Sequence, residues 1–134
     1  MWARERFAAA RVGRLATIDP SGRAHLVPIV FAIVGDRVWT SVDAKPKRTR
    51  SLRRLANIEA DPRVSILVDH YDDDWSQLWW VRGDGHASIV PVEAEQGQHA
   101  LAALARKYAQ YRHQPPPGPL ISIDVDVWTS WSAR

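Results

Sequence analysis

The feature that most restricts the fold of this chain is the grouping of its β-branched runs. Three such runs lie between residues 13 and 42 and are separated by short turns, and further runs begin at residues 62, 76 and 120. Single helical segments separate these groups, so strands and helices do not alternate steadily. Steady alternation is typical of a doubly wound parallel sheet, whereas meanders broken by single helices favour an antiparallel barrel with helices outside it.

Residue patterns predict six or seven strands and about three helices, which is a mainly β (α+β) chain. Short turns join the first three strands, which we therefore expect to be antiparallel neighbours. Pro28 interrupts the second strand and belongs at an edge or a bulge, because proline cannot donate a ladder hydrogen bond. A bend is expected near Gly83 and Gly85. The predicted strands are 13–19, 24–34, 37–42, 62–70, 76–90 and 120–131, and the predicted helices are 3–12, 48–61 and 91–111.

Composition indicates one ordinary globular domain over residues 1–134. The chain contains no cysteine, which excludes disulfides, thiolate metal sites and cysteine nucleophiles. No apolar run approaches the roughly 20 residues that a membrane span needs. The N-terminal residues lack the pattern of a signal peptide, so we expect a cytoplasmic protein without a membrane partner.

Six cations and no acid occupy the segment from Lys45 to Arg54. The segment lies where a predicted strand passes into a helix, whose N-terminus offers unpaired N–H groups and partial positive charge. Cations at this position oppose the helix dipole, so stability alone does not explain them. We interpret the segment as an anion site suited to a phosphate, against the plainer alternative of a solvated helix face. The candidate ligands are Lys45, Lys47, Arg48, Thr49, Arg50 and Ser51.

Nucleic acid is the other polyanion that such a patch could bind, with Arg50, Arg53 and Arg54 on one helix. A formal net charge of only +3 argues against this interpretation. The sequence also lacks a helix-turn-helix, a zinc finger and an RNP-type aromatic motif. We therefore expect no nucleic-acid partner.

The tryptophans and one acidic loop are further candidates for function. Trp79 and Trp80 are adjacent in a predicted strand, so one is expected to face the barrel and the other a groove or a partner chain. Trp75 lies in the loop "DHYDDDW", where it could cover a flat ligand. His70 and the aspartates of this loop have spacing that is weak evidence for a metal, and we expect none.

No Ser-His-Asp order, nucleophile elbow, Walker loop or GxGxxG motif is present, so no catalytic residue is assigned. If the protein is an enzyme, a bound cofactor is expected to carry the chemistry.

The order of these motifs resembles the split β-barrel flavin and deazaflavin proteins related to pyridoxamine 5′-phosphate oxidase. The resemblance covers nearly the whole chain and rests on "VGRLATIDPSGRAHLVPIVFAI", "KPKRTRSLRRLANIEADPRVSILVD" and "DDDWSQLWWVRGDGHA". It is strongest toward the actinobacterial branch that uses coenzyme F420 in place of FMN. The resemblance implies a six- to seven-stranded antiparallel split β-barrel with about three peripheral helices.

The resemblance also implies a homodimer with its two cofactor sites at the subunit interface. Related sequences often carry Lys just before a T-R-N triplet, where this chain has Arg48 and Ser51, so either Lys47 or Arg48 would meet the cofactor phosphate. Trp75 would approach the ring from the other subunit. The residues implied for the phosphate are Lys45, Lys47, Arg48, Thr49 and Ser51, and those implied for the ring are Pro28, Ile29, Val30 and Thr40.

The implied activity is that of an F420-dependent oxidoreductase that passes a hydride from the reduced deazaflavin to a small, flat, electron-poor substrate. Catalysis would come from positioning and electrostatics in place of a side-chain acid or base. The anionic tail of F420 would be attracted to Arg50, Arg53 or Arg54. FMN as the cofactor, and a non-catalytic carrier or sensor of F420, remain as alternatives.

Overall fold

The computed structural model describes residues 2–42 and 48–134, and for residues 48–52 it describes the helix without the side chains. Its α-helices are α1 (Trp2–Ala9), α2 (Arg48–Ala60), α3 (Glu95–Lys107) and α4 (Ala109–His113), and a short 3-10 turn covers Trp75–Gln77. Its strands are β1 (Gly13–Ile18), β2 (Ala24–Ile29), β3 (Ala32–Val34), β4 (Arg37–Ser41), β5 (Arg63–His70), β6 (Trp79–Val90) and β7 (Leu120–Ser132). The predicted mainly β chain with peripheral helices is confirmed.

All seven strands form one antiparallel sheet in the order β2-β1-β5-β6-β7-β4-β3. The strands at its two edges, β2 and β3, are joined only by Val30 and Phe31. The three Cα–Cα steps from Ile29 to Ala32 span roughly 10–11 Å at most. The two edges must therefore approach each other at this crossover, and the sheet curls into a half-barrel.

The prediction of one long strand over 24–34 is wrong, because the chain leaves the sheet at the crossover. The Phe31 N–H donates to the Tyr108 hydroxyl at 3.2 Å, and the Phe31 carbonyl accepts from Lys107 Nζ at 2.9 Å. These side chains replace the strand partner that a continuous ladder would supply. The expected three-strand meander is corrected accordingly: β1 pairs with β2, but β4 pairs with β3 and β7.

Two predictions about the strands are confirmed. Pro28 lies in the edge strand β2, opposite Arg14, in an unbroken register. The bend in β6 is a register shift between Asp84 and Gly85. A Cβ atom built on Gly85 would lie 2.0 Å from the carbonyl oxygen of Asp124, so only glycine allows the two strands to approach this closely here.

Apolar side chains from both β1–β5 and β6–β7 fill the interior of the half-barrel. Phe7 of α1 enters this core, with its ring centroid 5.0 Å from that of Phe31 and 4.9 Å from that of Trp128. Such aromatic contacts add stability beyond the burial of area. Helix α1 therefore packs against the core of the half-barrel through Phe7.

A second apolar cluster packs α3 and α4 against the sheet edge formed by β3, β4 and β7. It includes Trp39, Leu104 and Leu120, all buried, together with Tyr108 and Tyr111. The predicted helix 91–111 is divided at Tyr108, whose extended backbone separates α3 from α4. This division places the two tyrosines behind the crossover between β2 and β3.

None of the helices in the part of the chain that the structure describes has both the length and the apolar character required to cross a bilayer.

Candidate functional site

A cavity of about 220 Å³ lies where the two edges of the sheet approach each other. We call it the edge cavity. One side is formed by the end of β2 and the crossover, the opposite side by β4, and α2 contributes one side chain. These residues are Pro28, Ile29, Val30, Thr40, Ser41 and Arg54, and Val12 and Tyr111 complete the lining.

A buried hydroxyl fixes the wall of this cavity. Thr40 is 1% exposed, and its Oγ1 donates to the carbonyl of Val30 at 2.8 Å. Because Val30 belongs to the crossover and Thr40 to β4, this hydrogen bond ties the crossover to β4. A buried hydrogen bond of this kind contributes about 1 kcal/mol and leaves an unsatisfied carbonyl when it is lost.

Polar groups enter the cavity from the two helices beside it. Arg54 of α2 supplies a half-buried guanidinium, and Tyr111 of α4 supplies a mostly buried phenol. Val12, Ile29 and Val30 provide apolar surface. The combination of apolar walls with a few polar groups is typical of a small-molecule site.

Lys107 and Tyr108 form a network behind the crossover. The Lys107 ammonium lies 3.9 Å from the centroid of the Phe31 ring while it donates to the Phe31 carbonyl. Burial, with a smaller contribution from the positive charge of Arg11, lowers the pKa of Lys107 to about 8. Burial likewise raises the pKa of Tyr108, whose hydroxyl donates to the Arg11 carbonyl at 3.0 Å or the Phe31 carbonyl at 3.1 Å.

The structure brings together four of the residues implied for the ring: Pro28, Ile29, Val30 and Thr40 all line the edge cavity. Trp75 does not line it, and its side chain is 69% exposed, with its indole N–H donating to the Tyr71 hydroxyl.

The structure describes only some of the residues implied for the phosphate. Lys45 and Lys47 lie outside the described residues. Helix α2 begins at Arg48, as predicted, so Arg48, Thr49, Arg50 and Ser51 occupy its first turn. Their side chains lie outside the described part of the chain.

The sequence reasoning missed Val12, Ser41 and Tyr111 as members of the edge cavity. Tyr108 and Tyr111 are three residues apart, which is a helical spacing that could have indicated one shared face. The spacing alone does not reveal which strand that face covers.

The face of the sheet that points away from its core continues from this cavity. Cross-strand pairing places Leu26, Ala16, Ser65, Asp84 and Val127 in one row over five strands. Leu26 and Val127, at the two ends of the row, are 66% and 56% exposed. We call this surface the outer face.

Pro28 belongs to the outer face as well as to the edge cavity. It lies opposite Arg14, and the row continues through Leu67 and Arg82 to Thr129. The cavity therefore adjoins a surface with exposed apolar side chains.

The adjacent tryptophans of β6 point to opposite faces, as predicted. Trp79 packs against the core of the half-barrel. Trp80 is paired with Trp131 on the outer face, and the guanidinium of Arg82 lies 5.7 Å from the centroid of its ring.

Comparison with known families agrees with this fold. The family profile described as pyridoxamine 5′-phosphate oxidase matches residues 3–132. Because the match covers almost the whole chain, the protein belongs to this family. No curated protein matches the chain in sequence.

Solved structures share the fold at low sequence identity. A conserved hypothetical protein from Mycobacterium tuberculosis is 24% identical, with a TM-score of 0.74 over 97% of this chain and 82% of the other. An FAD-binding protein from Mesorhizobium loti is 22% identical, with a TM-score of 0.70 over 96% and 91% of the two chains. The heme storage protein HutZ from Vibrio cholerae is 18% identical, with a TM-score of 0.74 over 96% and 91%.

Proposed function

We propose that this protein is a homodimeric F420-dependent oxidoreductase that binds its cofactor in the edge cavity. The observation that carries the proposal is the meeting of Pro28, Ile29 and Val30 with Thr40 in one cavity, which α2 also lines through Arg54. Membership of the pyridoxamine 5′-phosphate oxidase family supports a cofactor of the flavin type. The FAD-binding protein from Mesorhizobium loti, which has the same fold, supports it further.

The residues of the edge cavity fit a flat, partly polar ring. Val12, Ile29 and Val30 offer apolar contact, while Thr40 binds the crossover through the Val30 carbonyl. The Arg54 guanidinium suits carbonyl or phosphate oxygens, which it can bind through more than one N–H group.

The start of α2 is the proposed phosphate site. The helix N-terminus presents unpaired backbone N–H groups, and no acidic residue occupies its first turn. The cations proposed to assist there are Lys45, Lys47, Arg48 and Arg50, with the hydroxyls of Thr49 and Ser51.

A second copy of the chain is proposed to complete the site. The cavity of about 220 Å³ is smaller than the roughly 300–1,000 Å³ of most small-molecule sites, so one chain encloses only part of a nucleotide-sized cofactor. The adjoining outer face exposes Leu26 and Val127, which a symmetric partner would cover. Trp75, which is exposed and does not line its own cavity, is available to reach the partner's site.

When bound, reduced F420 would supply a hydride to a small, electron-poor acceptor. The chain itself would bind the ring, exclude water from one of its faces and orient the acceptor at the other. FMN is the alternative cofactor, since the family and the fold suit either. A carrier or sensor without turnover is the alternative function.

A titration of the protein with F420 and FMN side by side tests the proposal. We expect saturable quenching of tryptophan fluorescence by F420, with weaker quenching by FMN. Oxidation of reduced F420 is then followed with a panel of electron-poor acceptors. Binding of F420 without turnover of any acceptor would support the alternative function of a carrier or sensor. Tighter binding of FMN than of F420 would show that FMN is the cofactor.

Matched arginine variants locate the site. Arg54→Gln removes a cation from the edge cavity, and we expect F420 affinity to fall roughly tenfold or more, the effect of losing a charge-assisted hydrogen bond. Arg23→Gln removes an exposed cation from the turn between β1 and β2 and should leave the affinity unchanged. Equal affinities of the two variants would remove Arg54 from the site.

A further inference from the structure

A second cavity, of about 340 Å³, lies between the end of α1 and strands β1, β5 and β6. Val12 lines both this cavity and the edge cavity, so the two are direct neighbours. Ala9 and Ala10 give it a small apolar floor. We call it the arginine cavity, after the three arginines in its lining: Arg6, Arg11 and Arg14.

Flat side chains are stacked at the arginine cavity: Arg6, His70 and Trp79 line it, and Trp2 lies beyond the lining. The guanidinium of Arg6 lies 5.2 Å from the ring centroid of Trp2 and 5.2 Å from that of Trp79. The imidazole of His70 stacks on Trp79, with centroids 5.9 Å apart and ring planes 18° apart. Another planar ring can pack against the faces or edges of such stacked planar groups.

Positive charge dominates the same cavity. Of the arginines, Arg14 is paired with Asp69 at 3.3 Å. Arg11 donates to the backbone carbonyl of Lys107 at 3.0 Å, and its charge is not neutralised by that contact. Among the described residues, Arg6 and Arg11 have no carboxylate oxygen within 4.0 Å. Three guanidinium groups against one carboxylate leave an excess that favours an anion.

We infer that the arginine cavity binds a flat aromatic carboxylate, whose ring stacks beside Trp79 while its carboxylate meets Arg6. If the edge cavity holds the redox cofactor, this neighbouring site would place such a molecule as the substrate. That second statement rests on the proposed function, whereas the binding itself does not. Under the proposed function, the substrates would therefore be planar aromatic acids.

Calorimetric titration with three probes tests the inference. The probes are naphthoate, its neutral amide and cyclohexanecarboxylate, which differ in charge and in flatness. We expect naphthoate to bind, and the amide and the cyclohexane acid each to bind about tenfold more weakly or worse, because each lacks one of the two proposed contacts. Equal affinity for naphthoate and its amide would overturn the inference.

Two variants and one control assign the binding to the cavity. Arg6→Gln should weaken naphthoate binding about fivefold to tenfold, while Arg6→Lys, which keeps the charge but not the plane, should weaken it less. Arg4→Gln is the control, because Arg4 lies on the same helix but pairs with Asp36 outside the cavity. A loss of affinity in Arg4→Gln equal to that in Arg6→Gln would overturn the assignment.

The titrations are repeated in the presence of saturating F420, and F420 binding to each variant is measured separately. Binding of naphthoate both with and without F420 supports the inference. Displacement of naphthoate by F420 would assign the arginine cavity to the cofactor and overturn it. Binding of naphthoate by a protein that binds neither F420 nor FMN would refute the proposed function but leave the cavity's ligand class standing.

Discussion

At the scale of single residues, Phe31 shows how the site is held in place. Its ring is buried in the core, and its backbone N–H and carbonyl are bound by Tyr108 and Lys107 in place of a neighbouring strand. These partners are 77 and 76 residues away in the sequence. Side chains of the α3–α4 region thus set the position of a crossover that lines the edge cavity.

Lys107 is expected to titrate far below an ordinary lysine. Its folded pKa of about 8 lies below the 10.5 of an exposed lysine because burial disfavours the ammonium. The unfolded chain therefore binds more protons between pH 8 and 10.5, so the contribution of Lys107 to stability increases with pH over that window.

Nuclear magnetic resonance of isotope-labelled lysine checks this expectation, since Lys45, Lys47 and Lys107 are the lysines of the chain. One signal should titrate near pH 8 and disappear in Lys107→Gln. Arg11→Gln should move that pKa upward, because the charge of Arg11 contributes to lowering it. Three signals that all titrate as exposed lysines would contradict the burial of the charge.

At the scale of elements, short aspartate turns lie at the ends of β1 and α2 and at the start of the 3-10 turn. The carboxylates of Asp19, Asp61 and Asp74 each accept a backbone N–H two residues ahead. Hydrogen bonds lower the pKa of all three: Ser21 contributes most for Asp19, Arg63 for Asp61 and Ser76 for Asp74. The loop that contains Asp74 thus uses its carboxylates to organise its own turn.

These aspartates predict a loss of stability in acid. A carboxylate with a lowered folded pKa stabilises the protein above its unfolded pKa, and this stabilisation is lost as the pH falls from about 4 through the folded value. Urea unfolding of the wild type and of Asp19→Asn at several pH values measures it. The variant, which keeps an acceptor oxygen but no charge, should depend less steeply on pH below 4, and identical slopes would contradict the prediction.

The sequence predicts the type and order of most elements, because β-branched runs and turn residues are local signals. The start of α2 and the bend in β6 are such cases. The separation of β2 from β3 is not predictable in this way, since it depends on distant side chains at Tyr108 and Lys107. The same limit applies to the sites. Four residues of the edge cavity follow from the resemblance. The position of Tyr111 in that cavity depends on how α4 packs, and the arginine cavity depends on how α1 packs, and neither can be predicted from local sequence.

At the scale of the whole molecule, the outer face determines the proposed assembly. Leu26→Glu places a charge at the β2 end of this face without a change in the core, because Leu26 is 66% exposed. We expect the variant to be monomeric and to lose F420 affinity, since a like charge would be buried on both sides of a symmetric interface. Light scattering after size-exclusion chromatography measures the mass.

Ala102→Glu is the matched control, because Ala102 is exposed on α3, away from the outer face. This variant should keep the mass of the wild type and its affinity for F420. If the wild type itself is monomeric, or if Leu26→Glu stays dimeric, the partner does not lie on the outer face.

The central claim is that the edge cavity holds the ring of a deazaflavin cofactor between two chains. A crystal structure of the protein grown with F420 tests it most directly. The claim predicts the ring against Pro28, Ile29 and Val30, close to Thr40 and Arg54, with its phosphate at the start of α2 and a partner chain over the remaining face. F420 bound elsewhere, or a single chain that encloses it without a partner, would contradict the claim.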